Sequence, residues 1–253
     1  MDMATQLAEQ HVSISVIIPT RNEAPNLQYV LPHLPAYVNE VVLVDGHSTD
    51  GTIAEAQRLR PDIRVVEQVG RGKGDAIRAG LAKATGDIIV LLDADGSADP
   101  LEIPRFVSAL LAGNDFAKGS RFLKGGGNHD ITWIRRMGNY GLIGLVNILF
   151  NARFSDLCYG YNVFWKHCLN HLEIDSDGFE IETLINIRMH MAGLKIAEVP
   201  SVEYQRIHGT SNLNAMKDGW RILKLILQER QVRRPQRAIP TIQHQPVPEE
   251  VLR

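Results

Sequence analysis

Cysteine is almost absent from this 253-residue chain. Its two cysteines, Cys158 and Cys168, offer neither a disulfide framework nor the paired spacing of a thiolate metal site, so reduced thiols of a cytoplasmic protein are the expectation. No stretch approaches the roughly 20 apolar residues that a membrane-spanning helix needs, and the longest, 141–150, contains Asn147. Residues 1–12 lack the apolar segment of a secretory leader, and no secretion is expected. Charge of one sign is not in excess: 27 Lys and Arg against 29 Asp and Glu leave a formal net charge of −2. Without a basic stretch interleaved with aromatics, nucleic acid is not an expected partner.

What is present is 44% hydrophobic residues, enough to bury one full core. The patterning divides the chain into an N-terminal extension (1–12), a single domain (13–231) and a Pro-rich, basic tail (232–253) for which disorder is expected. Apolar runs at 13–18, 41–44, 63–66 and 87–92 read as buried strands, the first stopped by Pro19. Helices are expected from Ala24 with Leu27, Val30, Leu31 and Leu34 facing inward, over 52–59, and from Gly72 through Ala84. Strands alternating with helices at this spacing predict an α/β fold with a mostly parallel sheet covered on both faces. In the second half, helices are expected over 104–112, 133–150, 180–192 and 215–231, with short strands at 116–118 and 196–199.

Ligands of such sheets bind beyond the carboxyl ends of the strands. Asn22, Glu23, Asp45, Lys73, Asp93 and Asp95 all fall at that edge. Asp93-Ala94-Asp95 ends the fourth strand, and Gly96 lets the chain turn so that the two carboxylates need not diverge. Such a doublet suits a hard divalent cation, Mg²⁺ or Mn²⁺, held by one or two carboxylates together with diphosphate oxygens, with Ser97 as a further oxygen ligand. Gly72-Lys73-Gly74 opens a helix whose backbone N–H groups favour an anion. Lys73 is either a donor contact or a solvated loop lysine.

Taken in order, Ile-Pro-Thr-Arg-Asn-Glu at 18–23, Val-Asp-Gly-His-Ser-Thr-Asp-Gly-Thr at 44–52, Gly-Lys-Gly-x-Ala at 72–76, Asp-Ala-Asp at 93–95, Gly-Ser-Arg-Phe-Leu-Lys-Gly-Gly-Gly at 119–127 and Gly-Phe-Glu-Ile-Glu-Thr at 178–183 resemble a family 2 glycosyltransferase of the GT-A fold. The similarity is to dolichol-phosphate mannose synthases and bacterial polyprenyl-phosphate sugar transferases, and it runs from Ser13 to Lys224. It implies a metal-dependent, inverting hexosyl transfer from a nucleotide sugar (GDP-mannose or a UDP-hexose) to a polyprenyl phosphate.

By that resemblance Pro19, Arg21, Asn22, Glu23 and Asp45 frame the nucleoside, the Gly72–Gly74 backbone and Asp93-Ala94 contact the donor, and Asp95 is the principal metal ligand. Arg121, Arg135 and Arg136 grip phosphate, with one of the last two pointing inward. Arg206 belongs to a late segment that closes over the diphosphate. The chain departs from relatives at Gly46, where many carry a second Asp, and at Asn212, the usual Lys. His208 and Ser211 lie in the same segment, His208 as a structural residue or a ligand. Of Glu180 and Glu182, one is expected at the sugar and the other at the surface. A hydroxyl acceptor would need a carboxylate base, for which Asp156 is the candidate, whereas a phosphate arrives ionised. The remaining alternatives are transfer to a soluble hydroxyl acceptor, a sugar nucleotidyltransferase, and a non-catalytic nucleotide-sugar-binding module. Apolar faces flanked by Arg and Lys at 141–150 and 220–227 are core, or in small part a surface for peripheral membrane contact. A membrane-anchored partner subunit is the other route to a lipid acceptor.

Overall fold

The computed structural model describes residues 2–129, 131–210 and 213–232; Ser211, Asn212 and the tail from 233 lie outside them. A short helix α1 (Met3–Glu9) precedes β1 (Ile14–Thr20), β2 (Glu40–Asp45), α2 (Thr52–Leu59), β3 (Arg64–Glu67), α3 (Lys73–Leu81) and β4 (Ile88–Leu91). Then follow α4 (Ile103–Leu111), β5 (Phe116–Ser120), β6 (Gly127–Asn128), α5 (Trp133–Phe150), β7 (Asn162–Trp165), α6 (Ile181–Met191), β8 (Ile196–Pro200), β9 (Val202–Glu203) and α7 (Ala215–Gln231). Seven strands form one sheet in the order β3-β2-β1-β4-β7-β5-β8, and β6 pairs with β9 apart from it. All pairings in the main sheet are parallel except those of β7, which runs antiparallel to both β4 and β5.

The central strands are buried on both faces, which is why β1 and β4 read as continuous apolar runs rather than alternating ones. One face carries Leu27, Val30, Leu31, Phe106 and Val107. The other is covered by Ile77 and Leu81 of α3 and Ile181, Leu184, Ile185 and Met189 of α6. Burial of each large side chain stabilises by about 1.5–3 kcal/mol. A third cluster joins Ile143 and Val146 of α5 to Ile187 of α6 and Ile222 and Ile226 of α7.

Two expectations change. Residues from Ala24 do not form an α-helix but two 3₁₀ turns, Leu27–Tyr29 and Leu31–His33. Pro32 lacks the N–H that would bond the preceding turn and disfavours an α conformation at Leu31. The four inward residues are nonetheless buried. Pro19 does not stop β1, which continues to Thr20. Ile17 C=O accepts from Leu92 N on the β4 side and Thr20 C=O from Gly46 N on the β2 side, so alternation puts the missing N–H of Pro19 beyond the end of β4, where no rung is lost. In the N-terminal extension Asp2 caps α1 and Leu7 packs into the core.

Candidate active site

Carboxyl ends of β1 to β4 open onto a cleft of about 610 Å³. Pro19, Arg21 and Glu23 line it from the loop after β1, and Gly46, His47 and Gln68 from the ends of β2 and β3. Gly72, Lys73, Asp93, Ala94, Asp95 and Ser97 follow from the next two connections. Arg121, Arg135, Cys158, Gly160, Glu182, Glu203 and Arg206 are contributed by the second half of the chain.

After β4 the chain turns as expected: Gly96 has φ 74°, and Ser97 N donates to Asp95 Oδ1 at 3.0 Å. Both carboxylates of the doublet therefore face the cleft, each beside a protein cation. Lys73 Nζ lies 2.6 Å from Asp93 Oδ1 and 2.7 Å from Glu182 Oε1. Burial alone would lower the lysine's pKa, but the two carboxylates outweigh it and hold it raised. Lys73 is thus an enclosed ion-pair centre, not a solvated loop residue, and Glu182 rather than Glu180 is the member of that pair in the cleft. Glu180 Oε1 instead accepts from the Ser176 hydroxyl and Gly178 N. A Cβ at Gly160 would stand 2.7 Å from Lys73 Nζ and 2.8 Å from Asp93 Oδ2, so glycine lets the segment before β7 approach the ion-paired cluster this closely.

Arg206 reaches the doublet from the far end of the sequence. Its guanidinium lies 3.2 Å from Asp95 Oδ2 and 2.7 Å from Glu23 Oε1. Asn26 also bonds Glu23 at 2.6 Å, and its amide clips the backbone of His208. His208 is thereby a strut of this late loop, its ring tilted against Tyr29.

On the other side Arg121 is buried with its fork on Asp156, at 2.6 Å from Nε to Oδ2 and 2.8 Å from Nη2 to Oδ1. It also bonds Glu203 at 2.9 Å and the carbonyl of Cys158 at 2.9 Å. Asn139 Nδ2 adds a 3.0 Å bond to Asp156. Burial pushes the Asp156 carboxyl up, but the guanidinium outweighs that and brings it to about 2. Asp156 does not line the cleft; it is fully buried behind Arg121. That corrects its candidacy as a base, since every approach to its oxygens is occupied by donors. Glu203, which binds Arg121 and Asn128, was missed because a lone Glu in a two-residue strand carries no sequence signal. Burial raises its pKa and that of Glu23.

Of the arginine pair only Arg135 turns into the cleft, and it makes no ion pair among the described residues. Arg136 is exposed and stacks over the Phe122 and Tyr140 rings. Three further candidates sit outside the cleft. Asn22 is exposed and accepts from Thr49 N, tying two loops together. Gly74 packs against the 176–177 backbone, where a Cβ would meet Ser176 O. Asp45 is buried at the end of β2, its Oδ2 accepting from Ser48 N and its Oδ1 without a partner among the described residues. The space a side chain at 46 would take is filled by Gln68, whose Oε1 is 2.9 Å from the would-be Cβ.

Comparison with known proteins fits this geometry. The sequence model of glycosyl transferase family 2 matches residues 15–173. The dolichol-phosphate mannosyltransferase of Pyrococcus furiosus is 30% identical over 211 residues, which is 80% of this chain but 59% of that protein. The polyprenol monophosphomannose synthase of Mycolicibacterium smegmatis is 30% identical over 212 residues, 79% of this chain and 80% of that protein. Among solved structures, glucosyl-3-phosphoglycerate synthase from Mycobacterium tuberculosis, in complex with Mn²⁺, UDP and glucosyl-3-phosphoglycerate, superposes with a TM-score of 0.72. It is 24% identical, with 90% of this chain and 84% of that chain covered, a likeness of fold.

Proposed function

The chain belongs to glycosyl transferase family 2, and from that premise we propose that it moves a hexosyl group from a nucleotide sugar to a polyprenyl phosphate. One observation carries the choice of acceptor. All five carboxylates lining the cleft are ion-paired: Asp93 and Glu182 on Lys73, Asp95 and Glu23 on Arg206, Glu203 on Arg121. Among the described residues no unpaired carboxylate lines the cleft ready to deprotonate a hydroxyl, while Arg135 offers an anion a guanidinium that makes no ion pair among them. A phosphate monoester brings its own nucleophilic oxygen and needs the second of these, not the first. The names of the P. furiosus and M. smegmatis relatives are in keeping with that class of acceptor.

The doublet suits a divalent cation. Asp93 and Asp95 each already balance a positive group, and no cluster of three His, Cys, Asp or Glu side chains that could hold a metal occurs among the described residues. Two carboxylates, with the Ser97 hydroxyl close by, leave the rest of the coordination to diphosphate oxygens, the donor set usual for Mg²⁺ or Mn²⁺. Bound there, such an ion would offset charge on the departing nucleoside diphosphate. Arg206 and Lys73 border the same diphosphate, Asp45 and Gln68 underlie the nucleoside, and Arg121 is held rigid by Asp156 and Glu203 with its face towards the acceptor. Arg135 aims the acceptor phosphate at the anomeric carbon. Attack by that oxygen on the side away from the leaving diphosphate inverts the centre in one displacement. The Cys158 thiol, pushed up to about 12 by burial, is not a nucleophile at neutral pH.

One feature favours a second reading, transfer to a hydroxyl: burial raises the pKa of Glu203, as a base requires. A radiolabel screen separates the two. GDP-mannose, UDP-glucose and UDP-GlcNAc are supplied in turn with Mg²⁺ or Mn²⁺, with and without polyprenyl phosphate. Label entering the organic phase only when the lipid is present supports the proposal. Label in a water-soluble glycoside rejects it.

A further inference from the structure

No helix among the described residues is long and apolar enough to cross a membrane, yet two helices expose large apolar side chains at the rim of the cleft. At the start of α5, Trp133 is 74% exposed, Ile134 69% and Met137 51%. Near the start of α7, Met216 is 81% exposed and Trp220 68%. Leaving such side chains in water forgoes the gain of burying them, and clusters of them mark an interaction surface. Both helices start at the cleft, since Arg135 and Leu213 line it, and they pack together through Val146 and Ile226.

The charge on these helices is one-sided. Between residues 133 and 150 there is no acid, only Arg135 and Arg136. On α7 both acids turn inward: Asp218 is buried and bonded to Arg221, and Glu229 is buried against Arg188. The outward face of α7 therefore carries Lys217, Arg221 and Lys224 interleaved with Met216, Trp220 and Leu227. In a chain whose net charge is −2 this is a local excess. Exposed Trp beside basic residues on amphipathic helices matches an anionic bilayer surface, which takes rings at headgroup depth and attracts Lys and Arg.

We propose that the exposed faces at the starts of α5 and α7 dock this protein on an anionic lipid bilayer, bringing the Arg135 side of the cleft down to the headgroup plane. The inference rests on the lipid-phosphate reading above and gives it a geometry. Trp133, Ile134 and Met137 enter the interface on one side of α5, and Arg135 points from another side into the cleft. An acceptor phosphate at headgroup level thus meets that guanidinium without leaving the membrane.

Co-sedimentation of the full chain with phosphatidylcholine vesicles, with and without phosphatidylglycerol, tests this in the absence of donor. The wild type is expected to pellet with anionic vesicles, less so as salt rises. The Trp133→Ser/Ile134→Ser/Trp220→Ser variant should lose about tenfold or more in partitioning, and Lys217→Glu or Lys224→Glu about fivefold or more each. These side chains are exposed, so unchanged thermal unfolding certifies the fold, and transfer to a short water-soluble isoprenyl phosphate should be retained. A wild type that stays in the supernatant overturns the proposal, as does a triple variant that binds like wild type. A triple variant that dissociates an oligomer without altering vesicle binding assigns the face to a second copy instead. Vesicle binding without any lipid-linked product would sink the acceptor assignment and leave the docking face standing; product in detergent without vesicle binding would do the reverse.

Discussion

Lys73 grips Asp93: its Nζ lies 2.6 Å from one carboxylate oxygen and 2.8 Å from the other, in a pocket shared with Glu182. The first acid of the doublet is thereby positioned by α3, and Asp95 by Arg206 from the late loop.

Removing that grip should destabilise as well as inactivate. Breaking a fully buried pair costs about 3–5 kcal/mol. Since the Asp93 side chain is 34% exposed, solvent screening reduces the loss for Lys73→Ala to about 2–3 kcal/mol. At about 2–4 °C per kcal/mol for a chain of this size, the melting temperature should fall by roughly 4–12 °C. Calorimetry of Lys73→Ala, and of Lys73→Ala/Glu182→Gln, which should recover part of the loss, checks this.

A Cβ at Gly160 intrudes on three pinned polar groups at once, Lys73 Nζ, Asp93 Oδ2 and Glu182 Oε1. Gly160→Ala should push them apart, at about 1–3 kcal/mol, and weaken nucleotide-sugar binding by roughly tenfold or more. Titration calorimetry with the donor nucleotide measures it; wild-type affinity would mean that this cluster does not touch the donor.

Asp156 makes the acid limb of stability steep. Its folded pKa is depressed to about 2, so its stabilisation is complete above the ordinary carboxylate value and is lost as pH falls from about 4 towards 2, about 2 kcal/mol in all. Denaturant unfolding of Asp156→Asn should show a lower plateau at neutral pH and a shallower decline over that window than the wild type. Parallel curves would remove Asp156 from this role.

Arg135 and Arg136, adjacent in sequence, should behave differently. Arg135→Ala should raise the acceptor KM about 10- to 100-fold, the worth of a charge-assisted hydrogen bond, with little change in the donor KM. Arg136→Ala, which unstacks an exposed guanidinium from Phe122 and Tyr140, should alter the same constant less than about threefold.

The sequence carried the positions of β1 to β5 and β8 and of the cleft edge, because apolar runs and the turn at Gly96 are local signals, but not those of β6, β7 and β9. The 3₁₀ turns at 27–33 escaped it, since inward spacing of Leu27, Val30, Leu31 and Leu34 looks helical and Pro32 overrides it only through its missing N–H. Nor does any local pattern reveal that β7 inserts antiparallel between β4 and β5. Within the site, residue types were legible but pairings were not. Arg121 and Asp156 are 35 positions apart, and Arg206 and Glu23 are 183 apart. Only the fold distinguishes a buried positioning carboxylate from a base.

Asp95 should be indispensable to turnover if the doublet holds the cation. Asp95→Ala is expected to lose about 100-fold or more in kcat and, independently of activity, to lose the Mn²⁺-dependent component of nucleotide binding by calorimetry. Near-normal values of both would remove it as a ligand.

The most direct measurement is ³¹P NMR of the product formed from polyprenyl phosphate and the active donor. If the acceptor phosphate itself attacks the sugar, the monoester resonance should be replaced by a phosphodiester coupled to an anomeric proton of inverted configuration. A monoester signal that persists while label appears in a new glycoside would contradict that chemistry.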